Sequence, residues 1–175
     1  IFGNDHFARG IDLNYTRLFN VYKNYIEGST SNVGWQGISG NTMDHSIIEE
    51  NHIVNSFVGL PSGPVKSHGL YLNMFDYGLI QCNEINSTNY GISVSGNNTW
   101  SYLITNIMDD NKTIGLNYSK TASMSSAHPS MTQYLGGNQF TGTQPLPARH
   151  LASDPDLILA SAFRTNSNSL PIFPT

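Results

Sequence analysis

Little in this sequence is charged, and only one residue is a cysteine. Charged side chains make up 11% of the 175 residues, less than half the ~25% of an ordinary soluble domain, which counts against charge-laced coiled coils and polyampholyte tails. Cys82 alone permits neither an internal disulfide nor a cysteine-based zinc cage. The net charge is −4 with no Lys/Arg cluster, so the phosphate-neutralising footprint of a nucleic-acid binder is missing and anionic membrane surfaces are disfavoured. No run approaches the ~18 apolar residues of a spanning helix, and there is neither a start Met nor a signal-type N-terminus. The chain is expected to be a piece of a longer polypeptide. Its 38% hydrophobic residues are enough for the core of about one domain.

What the sequence has in excess is Asn, 20 residues, beside 16 Gly. Both recur at fixed spacing. A Gly followed by alternating apolar residues opens five segments: Gly10-Ile11-Asp12-Leu13, Gly37-Ile38-Ser39-Gly40, Gly69-Leu70-Tyr71-Leu72, Gly91-Ile92-Ser93-Val94 and Gly115-Leu116-Asn117-Tyr118. Downstream of each comes aliphatic-x-x-Asn-x-apolar, with the Asn at 24, 51, 83, 106 and 138. The Gly-to-Asn distance is 14 residues in the first three units, 15 in the fourth and 23 in the fifth, which implies an insertion there.

Units of 22 to 32 residues with strand-like alternation and no sustained i, i+3, i+4 stripe point to short strands joined by turns. Asn tolerates the left-handed backbone region, so an Asn at one register marks a repeated bend whose amides can ladder. The expected fold is all-β, a right-handed parallel β-helix of about five rungs over residues 1–140, with rungs ~4.8 Å apart. A β-sandwich would predict no fixed Gly-to-Asn distance. Loops are expected near Ser29 to Trp35, Phe57 to Ser67 and Ser119 to Ser130, and residues 141–175 are read as a Pro-rich cap or linker with one short helix opening at Asp154-Pro155-Asp156.

Seven residues after the rung Gly stand Arg17, Asp44 and Asp76, with His45 beside Asp44. Two carboxylates a rung apart would perturb each other's protonation, and the guanidinium suits sugar acids. Retaining glycosidases hold their acids ~5 Å apart, close to the rung spacing. The same column is also what a solvated charge ladder looks like. Lys23, Glu49, Glu50, Gln81 and Cys82 form a second, surface column, in which Cys82 reads as an inert packed residue. Asp109-Asp110-Asn111 lacks the calcium-loop register, and the six His lack zinc spacing. No metal or cofactor is expected beyond loose calcium at oxygen-rich turns. Tyr25 and Tyr71 alternate with inward residues and should face solvent, where a ring can pack on a sugar. Asn-x-Ser/Thr triplets begin at Asn14, Asn86, Asn97, Asn111 and Asn117.

These Gly-Ile/Leu-x-Leu and Asn-x-Ile units resemble the right-handed parallel β-helix repeats of the pectate-lyase-like superfamily, over about Gly10 to Phe140. Its members include polysaccharide lyases, hydrolases, epimerases, phage tailspikes and large surface proteins of Bacteroidota. The tail Gly137-Asn138-Gln139-Phe140-Thr141-Gly142, with Ala148-Arg149-His150-Leu151, Ser161-Ala162-Phe163 and Pro171-Ile172-Phe173-Pro174, is similar to segments that follow such repeats in proteins exported by the type IX system. The resemblance implies calcium-binding Asp columns with a catalytic Arg or Lys for the lyases, and an Asp-Asp pair for the hydrolases. Only Arg17, Asp44 and Asp76 approach either scheme, and the Asp residues are not sequence neighbours.

The expectation is a non-enzymatic stalk or adhesin module of a secreted or cell-surface protein, touching polysaccharide or surface glycan, with the secretion machinery as a further partner. The alternative is a polysaccharide lyase, hydrolase or tailspike depolymerase using the Arg17, Asp44, Asp76 column with His45.

Overall fold

The structure is a computed structural model that describes residues 8–28, 34–56, 67–96, 101–119, 137–143 and 145–151. All its regular elements are strands: β1 (Ala8–Arg17), β2 (Asn20–Tyr22), β3 (Tyr25–Gly28), β4 (Trp35–Asp44), β5 (Ile47–Glu49), β6 (His52–Asn55), β7 (His68–Asp76), β8 (Leu79–Gln81), β9 (Glu84–Asn86), β10 (Tyr90–Ser95), β11 (Tyr102–Ile104), β12 (Ile107–Asp109), β13 (Ile114–Ser119), β14 (Gln139–Thr141) and β15 (Leu146–Leu151). They pair only in parallel. Three sheets result, ordered β1-β4-β7-β10-β13-β15, β2-β5-β8-β11 and β3-β6-β9-β12-β14. Each of the first four sequence units contributes one strand to every sheet, an arrangement compatible with a β-solenoid. Among the described residues no helix is long and apolar enough to cross a membrane.

The apolar columns sit where the alternation places them. Ile38, Leu70, Ile92 and Leu116 stack along the first sheet, Val21, Ile48, Ile80 and Leu103 along the second, and Ile26, Ile53, Ile85 and Met108 along the third, all buried in one cluster. Each large aliphatic side chain removed from water contributes ~1.5–3 kcal/mol.

The Asn residues lie one above another. Asn24 donates from both its backbone N–H and its Nδ2 to Asn51 Oδ1, at 3.0 and 2.9 Å. Asn51 repeats this to Asn83 at 3.1 and 2.9 Å, Asn83 to Asn106 at 3.1 and 2.9 Å, and Asn106 to Asn138 at 3.0 and 2.9 Å. The remaining Nδ2 hydrogen of Asn83 goes to Ile48 O at 2.9 Å, and Asn106 and Asn138 bond Ile80 O and Leu103 O likewise.

The bend is built differently from the expectation. The left-handed residue is the one before each Asn: Lys23, Glu50, Cys82 and Thr105 have φ of 53°, 51°, 53° and 53°, and Gly137 has 60°. That residue reverses the chain, and its reversal is what turns the following amide inward. A left-handed conformation at a residue with a Cβ costs roughly 1–2 kcal/mol, offset here by the buried amide bonds it permits.

The Gly column answers to close packing. A Cβ at Gly37 would stand 2.5 Å from Ile53 Cγ2 and 2.7 Å from the carbonyl oxygen of Gly69, and one at Gly69 would meet Ile85 Cγ2 and Gly91 O. The first sheet also runs past Phe140. β15 pairs with β13, Ala148 beside Leu116, so a sixth strand occupies part of the region read as cap. Pro147 is tolerated because β15 lies at the sheet edge among the described residues. Trp35, expected in a loop, is buried in β4. The expected helix at residues 154–159 lies outside the described residues, as do most of the loop spans.

Two substitutions test this packing by urea unfolding. Asn83→Ala should lower stability by about 3 kcal/mol or more, because it strands the buried backbone N–H and one Nδ2 hydrogen of Asn51 and removes the amide donor from Ile48 O and Asn106 Oδ1. Gly69→Ala should cost about 1–3 kcal/mol through the overpacked contact with Ile85 and Gly91.

Candidate functional site

The shared offset from the rung Gly brings Arg17, Asp44 and Asp76 into one column at the C-terminal ends of β1, β4 and β7, in direct register. Left-handed residues Leu18, His45 and Tyr77 follow them and close the corner. Arg17 Nε lies 3.0 Å from Asp44 Oδ2, and His45 Nδ1 lies 2.6 Å from Asp44 Oδ1. His45 is stacked on Tyr77, centroids 4.8 Å apart and planes 11° apart. Both oxygens of Asp44 therefore already have partners, and the Arg17 side chain is 72% exposed. The geometry is that of a solvated ion pair closed by an imidazole, with Asp76 half-buried at its end.

Tyr25 and Tyr71 do not form one platform, since they stand on different sheets. Tyr25 is exposed but one of its faces is covered by His52, at 5.2 Å and 8°, whose Nδ1 lies 3.0 Å from Glu84 Oε2. Rings stacked along a column stand across the sheet, so this row offers edges and hydrogen-bonding tips outward more than open faces. Tyr71 is half-buried and meets His68 edge-on at 5.1 Å.

That contact belongs to a cluster that no sequence motif marks. On the outer side of the first sheet His68 stacks on Tyr90 at 4.9 Å, and its Nδ1 lies 2.9 Å from Ser93 Oγ. A hydroxyl against an imidazole is the pairing of nucleophilic catalysis, but Ser93 is 3% exposed and does not present its oxygen. The signal that finds this cluster is the register one residue before the rung Gly, where Arg9, Gln36, His68, Tyr90 and Ile114 follow one another.

In the second column Lys23 is paired with Glu50 at 3.4 Å and lies 4.7 Å over the Tyr22 ring. Hydrogen bonding to Tyr22, then to Glu50, pushes the Lys23 ammonium pKa up. This is the opposite of what a lysine general base needs. Glu49 is occupied by Asn20 at 3.1 Å and Gln81 at 2.7 Å. Cys82, read as packed, is instead exposed, with its Sγ 3.1 Å from Thr105 Oγ1, because it fills the outward-pointing turn position. Asp109 and Asp110 cap the next turn: Thr141 Oγ1 donates to Asp109 at 2.6 Å and Thr143 N to Asp110 at 2.8 Å. Among the described residues no group of three or more His, Cys, Asp or Glu could hold a metal ion.

The chain matches no family model, no curated protein and no solved structure.

If the Arg17 and Asp44 pair is a surface ladder, Asp44→Asn shifts the free energy of unfolding by less than about 1 kcal/mol, and the shift shrinks further in concentrated salt. Denaturant midpoints at low and high ionic strength measure both; a loss above about 2 kcal/mol would instead make the column part of the structural core.

Proposed function

We propose that this chain is a right-handed parallel β-helix segment of a secreted or cell-surface protein, acting as a rigid stalk or adhesin module with glycan contacts on its outer columns. The observation that carries the reading is the continuous amide ladder from Asn24 to Asn138. Bending such a stack breaks several buried amide bonds at once, each worth ~1 kcal/mol net and more if left unsatisfied, so the unit suits holding things apart or in line. Right-handedness follows the general rule for crossovers between parallel strands. Kinship with the pectate-lyase-like superfamily and export by a type IX route belong to the same proposal, on the Gly and Asn landmarks and the tail motifs.

The outer columns support binding over turnover. Their carboxylates are engaged by neighbours of the same chain, as at Asp44, Glu49 and Glu84, while Tyr25 and Tyr102 remain exposed. A depolymerase on Arg17, Asp44 and Asp76 is the competing reading, supported by their common register.

Incubation with a panel of neutral and acidic polysaccharides separates the two. Retardation of the protein in polysaccharide-containing gels, weakened by Tyr25→Ala and unaccompanied by product, is the expected result. New reducing ends or unsaturated products that disappear in Asp44→Asn would replace the stalk with an enzyme.

A further inference from the structure

β4 and β7 are paired on both sides, β4 by β1 and β7, and β7 by β4 and β10. The residues that close their corners, His45 and Tyr77, are nevertheless exposed, to 45% for the imidazole side chain and 50% for the tyrosine. Both have a left-handed φ, 50° and 47°, and His45 N donates to Asp76 O at 3.0 Å, which ties one corner to the strand end of the other. The rings stand out because the corner turns outward, not because a partner strand is missing.

Their polar atoms are divided between the protein and the solvent. Asp44 Oδ1 lies 2.6 Å from His45 Nδ1. A carboxylate only accepts, so Nδ1 carries the proton and Nε2 is the position left for a ligand. The imidazole in turn covers one face of Tyr77. Among the described residues neither His45 Nε2 nor Tyr77 Oη has a hydrogen-bond partner, and the second face of Tyr77 meets no other ring. An aromatic face beside an imidazole nitrogen and a phenolic hydroxyl matches a hexopyranose, whose C–H face packs on the ring while its hydroxyls bond the polar tips.

The charges at the corner decide which kind of sugar fits. Asp44 and Asp76 immediately precede the two rings, and β4, β5, β7 and β8 contain no Lys or Arg. The Arg17 guanidinium lies 3.0 Å from Asp44 Oδ2 and is offset by it. Carboxylates accept hydrogen bonds from sugar hydroxyls and repel a uronate. The column that suits sugar acids when read from the sequence is therefore closed to them by its own distances. Building on the glycan-contact reading above, we propose that His45 and Tyr77 form a binding site for neutral hexopyranosides that rejects uronic acids.

The test follows the ¹H–¹³C NMR signals of the imidazoles in the full chain, His45 being assigned by the signal lost in His45→Gln. Mannohexaose, cellohexaose and hexagalacturonate are titrated separately, beside retardation of the same protein in gels containing neutral and acidic polysaccharides. A neutral hexasaccharide is expected to move the His45 signal and hexagalacturonate to leave it in place. Tyr77→Ala should weaken the neutral ligand about tenfold while keeping a cooperative urea transition, and Tyr77→Phe should retain most of the affinity. A neutral glycan that binds without moving His45, or equally well to Tyr77→Ala, overturns this site and leaves the wider glycan reading standing. Binding of hexagalacturonate at His45 overturns the preference for neutral sugars. Failure of every glycan to bind overturns both readings.

Discussion

The structure depends on one interaction, the buried carboxamide that is completely used. Asn83 is 0% exposed, and an amide taken from water without partners costs several kcal/mol. An Asn side chain offers two donors and an oxygen with two acceptor positions. At Asn83 all are filled: the oxygen accepts the backbone N–H and the Nδ2 of Asn51, and the nitrogen donates to Ile48 O and to Asn106 Oδ1. None of these bonds is local in sequence, so the amide is satisfied only when the strands above and below are in register. A slip of one residue would put Thr105 or Ile107 where the Asn106 acceptor must be and would turn the apolar columns outward. The ladder thus selects a single stacking of strands whose hydrophobic faces alone would allow several.

The Gly column is the counterpart of that selection. Once the amides set the register, the backbone of each rung Gly approaches the carbonyl of the next within a distance that excludes a methyl group, as at Gly10 against Gly37 and Gly37 against Gly69. The Ile residues two positions after the Asn, Ile26, Ile53 and Ile85, fill the space left by the missing side chains. Glycine and amide are two halves of one cross-section, which is why they keep a nearly constant separation in sequence.

This explains which parts were readable from the sequence. Stacked positions with one permitted chemistry, the Asn, Gly and aliphatic columns, repeat and can be seen. The left-handed corners could not be seen, because Lys23, Glu50, Cys82 and Thr105 share a backbone conformation and nothing in their side chains. The exposure of Cys82 follows from that corner and is hidden with it. β15 is hidden because Pro145 and Pro147 read as breakers, although the outermost described strand of a sheet can carry Pro. Of the His68, Tyr71, Tyr90 and Ser93 cluster, only His68 and Tyr90 share a position before the rung Gly; Tyr71 and Ser93 join them through strand pairing, which no motif records. The Arg17, Asp44 and Asp76 column was legible as a column, but its chemistry was not, since only the distances show Asp44 held between Arg17 and His45.

The inner and outer columns are under different constraints, and this decides where specificity can reside. At one inner register the chain holds Val21, Ile48, Ile80 and Leu103, a set that changes by little more than a methylene. At the adjacent corner it holds Leu18, His45 and Tyr77, and at another Tyr15, Thr42, Met74 and Gly96, sets with no common property except tolerance of the left-handed turn. The core fixes spacing and direction while leaving the exterior free to vary rung by rung. Two chains with the same ladder can then carry unrelated surfaces, so likeness of fold conveys the scaffold and not the ligand. The binding chemistry has to be sought where the columns disagree, at exposed corner positions such as His45 and Tyr77.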